Sequence, residues 1–181
     1  MNTAAEQLSA ANDKPELTIS PAKLEHMEDV VDIITSSAQW YEGFVDPEDM
    51  TEHHVDAQWA RENFDKRDFY VARVDDEIVG TITMQDVNAA YVYLGYVYLH
   101  TDHVGQGYGG MKLEWAADEA RRRGKKAMVL IAHPEAEWAI RAYEKFGFRR
   151  LFTDKKDILN WCDGWMKPYY EEGFHFYQYD L

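Results

Sequence analysis

The sequence predicts an α/β domain, with one mixed central sheet of about six to seven strands flanked by about four helices. Three observations point there. Segments with helical spacing of apolar residues alternate with short runs rich in β-branched and aromatic residues. The run Tyr91 to Leu99 (YVYLGYVYL) has the composition of a central strand covered on both faces. A chain of 181 residues is long enough for one domain that buries roughly two-thirds of its unfolded surface without disulfides.

Residues 1 to 15 are polar and lack apolar periodicity, which predicts a mobile leader before a domain spanning 16–181. Leu17 and Ile19 alternate with polar neighbours as a short first strand, and Met27, Val30, Val31, Ile33 and Ile34 recur at helical spacing. Gly43, Asp46 and Pro47 mark a loop, with Thr51 placed to cap a helix running to about Lys66. Phe69 to Val74 and Ile78 to Met84 form a hairpin around Asp75-Asp76. Within the strand Tyr91 to Leu99, Gly95 marks a bulge or a close backbone approach. A helix after the glycine-rich loop stops at Gly124, Ala127 to Ala132 reads as a buried strand, and Pro134 opens a helix that Gly147 ends. Strands starting at Phe148 and spanning Phe174 to Tyr179 complete the chain.

Charge and cysteine content exclude several functions. With 19 basic against 33 acidic side chains, the formal charge is −14. General nucleic-acid binding, which depends on basic residues neutralising phosphates, does not fit; a cationic small molecule or peptide does. The same acidity also serves solubility, including in a saline cytoplasm. A single cysteine, Cys162, excludes a disulfide framework and multi-cysteine metal sites. No stretch approaches the roughly 20 apolar residues of a spanning helix, and the N-terminus lacks a secretory pattern, so a cytoplasmic protein without membrane partners is expected.

The run Val104-Gly105-Gln106-Gly107-Tyr108-Gly109-Gly110 joins a strand to a helix, where unpaired backbone N–H groups and the positive helix end converge. Glycines there admit positive φ and let a pyrophosphate approach the main chain. The spacing satisfies G-x-G-x-x-G, but the dinucleotide reading wants an acidic residue at the end of the next strand, and that strand ends at His133-Pro134.

Together, Val104 to Gly109 at a helix start and Tyr143-Glu144-Lys145-Phe146-Gly147-Phe148 some 35 residues later resemble the paired motifs of the GNAT superfamily of acyl-CoA-dependent N-acyltransferases. The order of elements agrees from about Leu17 to Leu181. The resemblance implies acetyl-CoA as co-substrate, held by Val104, Gly105, Gln106, Gly107, Tyr108, Gly109 and Gly110. It implies a bulge near Val97 to Leu99 that frees backbone groups for the pantetheine arm and thioester, with Leu99 supplying an N–H. It implies direct attack by an amine in a ternary complex, without metal. Two positions depart from the pattern: Val104 replaces the usual arginine or glutamine, which is expected to weaken the cradle without abolishing it, and Ala136 replaces an asparagine that contacts the cofactor in many members. A CoA-binding protein of the same fold with little catalysis is the alternative they motivate.

Attack by an amine on a thioester needs a base, an oxyanion donor and an acid for the leaving sulfur. Tyr143 matches the family's general acid. The strand carries no carboxylate where many relatives have a glutamate, and Tyr93 stands roughly there; Tyr93, His100, Asp86 or a water chain remain open as the base. His53-His54 reads as part of a solvated helix, Arg121 to Lys126 as a basic run offsetting a helix dipole, and Cys162 as a packing thiol. The aromatic segment Trp161 to Phe176 suits three roles: holding an ammonium group with Glu171 and Glu172, covering the sheet, or forming a homodimer face.

Overall fold

The computed structural model describes residues 16–181, so the leader expected over residues 1–15 lies outside the described residues. Seven strands form one sheet: β1 (Leu17–Pro21), β2 (Phe69–Val74), β3 (Glu77–Asp86), β4 (Tyr91–Leu99), β5 (Ala127–Ala132), β6 (Arg149–Phe152) and β7 (His175–Asp180). Their spatial order is β1-β2-β3-β4-β5-β7-β6, and only β4 and β5 pair in parallel. That pairing is possible because α3 (Tyr108–Arg122) carries the chain back across the sheet between them.

Helices cover both faces. On one, α1 (Met27–Ser36) and α2 (Ala57–Phe64) set Met27, Val30, Ile34 and Ala60 against Phe69 and Val71. On the other, Leu113, Ala116, Ala117 and Ala120 of α3 and Tyr143 of α4 (Glu137–Phe146) pack on Ile82, Met84, Val92, Leu94, Met128 and Leu130. Alternate residues of one strand thus serve two cores, as a twofold side-chain period requires. A short α5 (Lys155–Asn160), capped by Asp154, follows β6 and was not foreshadowed by any periodicity.

The helix expected from Thr51 to Lys66 is corrected. A 3₁₀ turn occupies Asp49–Glu52, and α2 begins only after Asp56, whose Oδ1 accepts from the Trp59 N–H at 2.8 Å. Both Thr51 and Asp56 are chemically suited to cap; the intervening Val55, buried with α1, pins the chain and decides between them. Among the described residues, no helix is long and apolar enough to cross a membrane.

Candidate active site

The site originates in an interruption of the sheet. β4 and β5 pair only through Tyr91↔Ala127, Val92↔Met128 and Tyr93↔Val129, after which the strands part. On its other side, β4 carries a bulge: between Thr81↔Tyr98 and Thr83↔Gly95, Tyr96 and Val97 oppose Ile82 alone. Tyr96 takes a left-handed φ of 44°, strain that accompanies the extra residue. Gly95 is required at this point, because a Cβ there would lie 2.7 Å from Thr83 Oγ1. Bulge and parting strands expose the backbone from Tyr96 onward.

One cleft, of about 560 Å³, runs from this break to the start of α3. Val97, Leu99, Val104, Gly105, Gly107, Gly109 and Gly110 line it. Gly105 and Gly107 adopt φ of 86° and 90°, and a Cβ on either would meet nothing within 4 Å, so the main chain borders open space. The N–H groups of Gly105, Gln106 and Gly107 make no backbone hydrogen bond among the described residues. The first turn of α3 adds further unpaired donors at the positive end of a 15-residue helix. Such a cradle fits a pyrophosphate. Behind it Lys112 is 1% exposed, donating through Nζ to the carbonyls of Thr81, at 3.0 Å, and Tyr98. Lys112 therefore ties down carbonyls beside the bulge, and burial lowers its ammonium from 10.5 to about 7.

A second cavity of about 270 Å³ lies beyond the break. Tyr41, Val97, Tyr98, Ala139 and Tyr143 border both spaces and mark where they meet. Its charged wall comes from connections: Asp49, Glu52 and His53 before α2, Arg67 after it, and Glu171 before β7. His53 is 2% exposed. Its Nε2 lies 3.0 Å from Glu171 Oε1, its Nδ1 lies 2.8 Å from the Tyr98 hydroxyl, and the Tyr41 ring stacks on it at 4.1 Å. Burial pushes the Glu171 carboxyl above the ordinary carboxylate range, against the opposing pull of the His53 hydrogen bond. Tyr96 donates its hydroxyl proton to Glu52, and Arg67 holds its guanidinium 5.1 Å from the Tyr96 ring and 5.2 Å from the Tyr169 ring.

The residues expected at the site fall into different places. Tyr143 is buried at the junction, where burial, reinforced by Tyr41 and Tyr93, drives its phenol far above the usual range. Tyr93 lines the second cavity, packed against the stacked pair Trp165 and Tyr169; burial and the Glu171 charge push its phenol up too, which makes it a weaker candidate base. His100 borders neither space: it follows β4, and its Nδ1 accepts from the Asp102 N–H at 3.3 Å. Asp86 is absent from both linings as well. Burial alone would raise its carboxyl, but Lys125 at 2.8 Å and Arg123 at 3.1 Å outweigh that and hold it low. Gln106 and Tyr108 have only main-chain groups to offer the cradle, since the Gln106 amide turns back to Asp102 and the Tyr108 ring packs with Val74 and Val79.

His53 is the main correction. Read as half of a solvated pair, it is enclosed, while His54 stays exposed beside Glu42. Its partners are 45 and 118 positions away, so no local pattern announces it. Lys112 did leave a signal: it sits four residues after buried Tyr108 and four before buried Ala116, on the apolar stripe of α3. The aromatic segment divides its roles. Trp161 and Trp165 cover the sheet, Tyr169, Tyr170 and Glu171 line the second cavity, and Glu172 pairs outward with Lys155. Arg121, Arg122 and Arg123 are engaged by Asp118 and Glu119 at the end of α3. Cys162 borders neither space, and no group of three or more potential metal ligands occurs among the described residues.

A sequence profile described as the acetyltransferase (GNAT) family matches residues 30–148. No protein of curated function matches the chain in sequence. Solved structures do match in fold. The PaiA N-acetyltransferase from Thermoplasma acidophilum, in complex with coenzyme A, superposes with a TM-score of 0.69 at 18% identity, over 92% of this chain and 99% of that one. An acetyltransferase (GNAT family) from Bacillus anthracis gives 0.67 at 19% identity, over 92% and 96%. A GNAT family acetyltransferase from Elizabethkingia anophelis with acetyl-CoA bound gives 0.59 at 18% identity, over 93% and 100%.

Proposed function

The chain belongs to the acetyltransferase (GNAT) family, and on that premise we propose that it moves an acetyl group from acetyl-CoA to the primary amine of a small molecule or peptide, by direct attack in a ternary complex. One observation carries this reading: the glycine cradle and the carboxylate-lined cavity open toward each other at the break between β4 and β5, across five shared residues. A pyrophosphate on the cradle directs the acyl end of its carrier toward that break. In the second cavity Asp49, Glu52 and Glu171 stand against Arg67 alone, which favours an acceptor that carries positive charge.

Each residue has a task in this reading. Main-chain N–H groups of residues 105 to 110 hold the diphosphate without needing a basic side chain, which suits a chain of charge −14. The bulge at Tyr96 and Val97 offers backbone donors to the thioester carbonyl. Tyr143, kept protonated by burial, donates a hydrogen bond to the leaving sulfur. Because that phenol is so weak an acid, stabilising the thiolate is a larger part of its contribution than full proton transfer. The single cysteine is a free thiol, in keeping with a cytoplasmic setting.

Thermal unfolding with acetyl-CoA, longer acyl-CoAs and NAD tests the cradle. A ligand at 100 times its dissociation constant stabilises by about 2.7 kcal/mol, and acetyl-CoA is expected to exceed NAD. Thiol release with a panel of primary amines tests the transfer. Binding without thiol release for any amine would leave a CoA-binding protein of the same fold; preferential stabilisation by NAD would remove the reading altogether.

A further inference from the structure

We propose that Tyr98, His53 and Glu171 form a proton relay that deprotonates the acceptor amine, Tyr98 contacting the nitrogen and His53 taking the proton. The proposal rests on the acetyltransferase reading and supplies the base that β4, without a carboxylate, does not carry.

Three facts converge on it. Tyr98 borders both spaces, at the junction where an acceptor nitrogen must approach a thioester. That hydroxyl is 2.8 Å from His53 Nδ1, and His53 Nε2 is 3.0 Å from Glu171 Oε1. An ionised carboxylate only accepts, so Glu171 assigns the proton to Nε2 and leaves Nδ1 as the acceptor for the Tyr98 hydroxyl. Enclosure keeps the arrangement fixed: His53 is 2% exposed, and the Glu171 side chain is 15% exposed. The other charged groups lining the cavity are Asp49, Glu52 and Arg67; His133 and the phenols of Tyr41, Tyr93, Tyr96, Tyr143, Tyr169 and Tyr170 are the remaining titratable groups around the relay.

Tyr98 cannot serve alone, because burial holds its phenol far above neutrality. It acts by exchange. As the amine nitrogen bonds to the acyl carbon, its proton passes to the Tyr98 oxygen while the Tyr98 proton passes to His53 Nδ1. The carbon–sulfur bond then breaks, with its electron pair leaving on sulfur. The thiolate takes up one proton and the imidazolium gives one up, so amine plus thioester become amide plus thiol. Glu171 opposes the transient imidazolium charge. His53 and Glu171 are thus positioning residues acting through Tyr98.

The test is a pH profile of kcat and kcat/KM for wild type, Tyr98→Phe, His53→Gln and Glu171→Gln, with acetyl-CoA and whichever of tyramine, spermidine or L-lysine supports thiol release. Expected are a one-proton acid limb in wild type that disappears in His53→Gln, and a kcat loss of about 100-fold or more in Tyr98→Phe and His53→Gln, the scale of general acid–base catalysis. Acetyl-CoA affinity should stay unchanged, and added imidazole should restore part of the activity of His53→Gly. A merely structural His53 would show neither the lost limb nor the rescue. Should His53 variants fail to fold, Tyr98→Phe, which removes one oxygen, decides the matter: retained kcat overturns the relay. Persistence of the acid limb in folded His53→Gln overturns it as well. A wild-type enzyme that releases no thiol with any of these amines overturns the transfer reading itself, and the relay falls with it.

Discussion

At the scale of single residues, two buried groups have measurable consequences. Tyr143 meets both spaces, which places it to steady a leaving thiolate in the proposed transfer. Tyr143→Phe should therefore lower kcat by roughly 100-fold, within the range for loss of a positioned acid, while calorimetry finds acetyl-CoA affinity nearly kept. Lys112 affects stability instead. Between its folded value of about 7 and its ordinary 10.5, the unfolded chain holds a proton that the folded chain lacks. Burial therefore costs most below about pH 7, and folding becomes more favourable as pH rises toward 10.5, by at most about 1.4 kcal/mol per pH unit. A neutral amine still has two N–H donors for the Thr81 and Tyr98 carbonyls. Urea unfolding at several pH values across that window should show this rise in wild type and its loss in Lys112→Met.

Among elements, the strand-to-helix turn before α3 carries the sharpest expectation. In Gly107→Val the new Cβ meets no protein atom within 4 Å, so the cost to the fold is mainly that of the left-handed backbone, about 1–2 kcal/mol for an L-residue and more for a β-branched one. The new side chain nevertheless stands in the cradle, and acetyl-CoA should bind at least tenfold more weakly, about 1.4 kcal/mol by calorimetry. This element was legible in the sequence because its signals are local: a dense β-branched and aromatic run fixed β4 at Tyr91–Leu99, and Gly147, at φ 118°, ends α4 where expected. The start of α2 was not, since Thr51 and Asp56 offer the same capping chemistry and only tertiary burial of Val55 separates them. Likewise the bulge was expected from Val97 to Leu99 and falls at Tyr96 and Val97, a shift that depends on register with β3 rather than on composition.

For the whole molecule, charge and topology matter more than any one contact. With 33 acidic side chains against 19 basic ones, compact packing brings like charges together, and screening relieves the repulsion. The melting temperature should rise as sodium chloride increases from about 10 mM to about 150 mM, where the Debye length shrinks from about 30 Å to about 8 Å; a fall would place the net contribution of surface ion pairs above that of self-repulsion. Topology also explains what the sequence hid. The cradle is contiguous and could be read directly, whereas His53 and Glu171 stand 118 positions apart and meet only because the connections before α2 and before β7 lie over the same end of the sheet.

That placement of the cavity's charged wall on connections has a consequence for redesign. The cradle depends on the junction of β4 and α3, while Asp49, Glu52, His53 and Glu171 sit on two surface segments whose ends are anchored independently by α1, α2, α5 and β7. Grafting only the stretch from Asp49 to His53 and the one around Glu171 from another member of the fold, with Tyr41 left in place because it borders both spaces, should exchange which nucleophile is accepted without rebuilding the donor half, making acceptor choice in this architecture a portable trait.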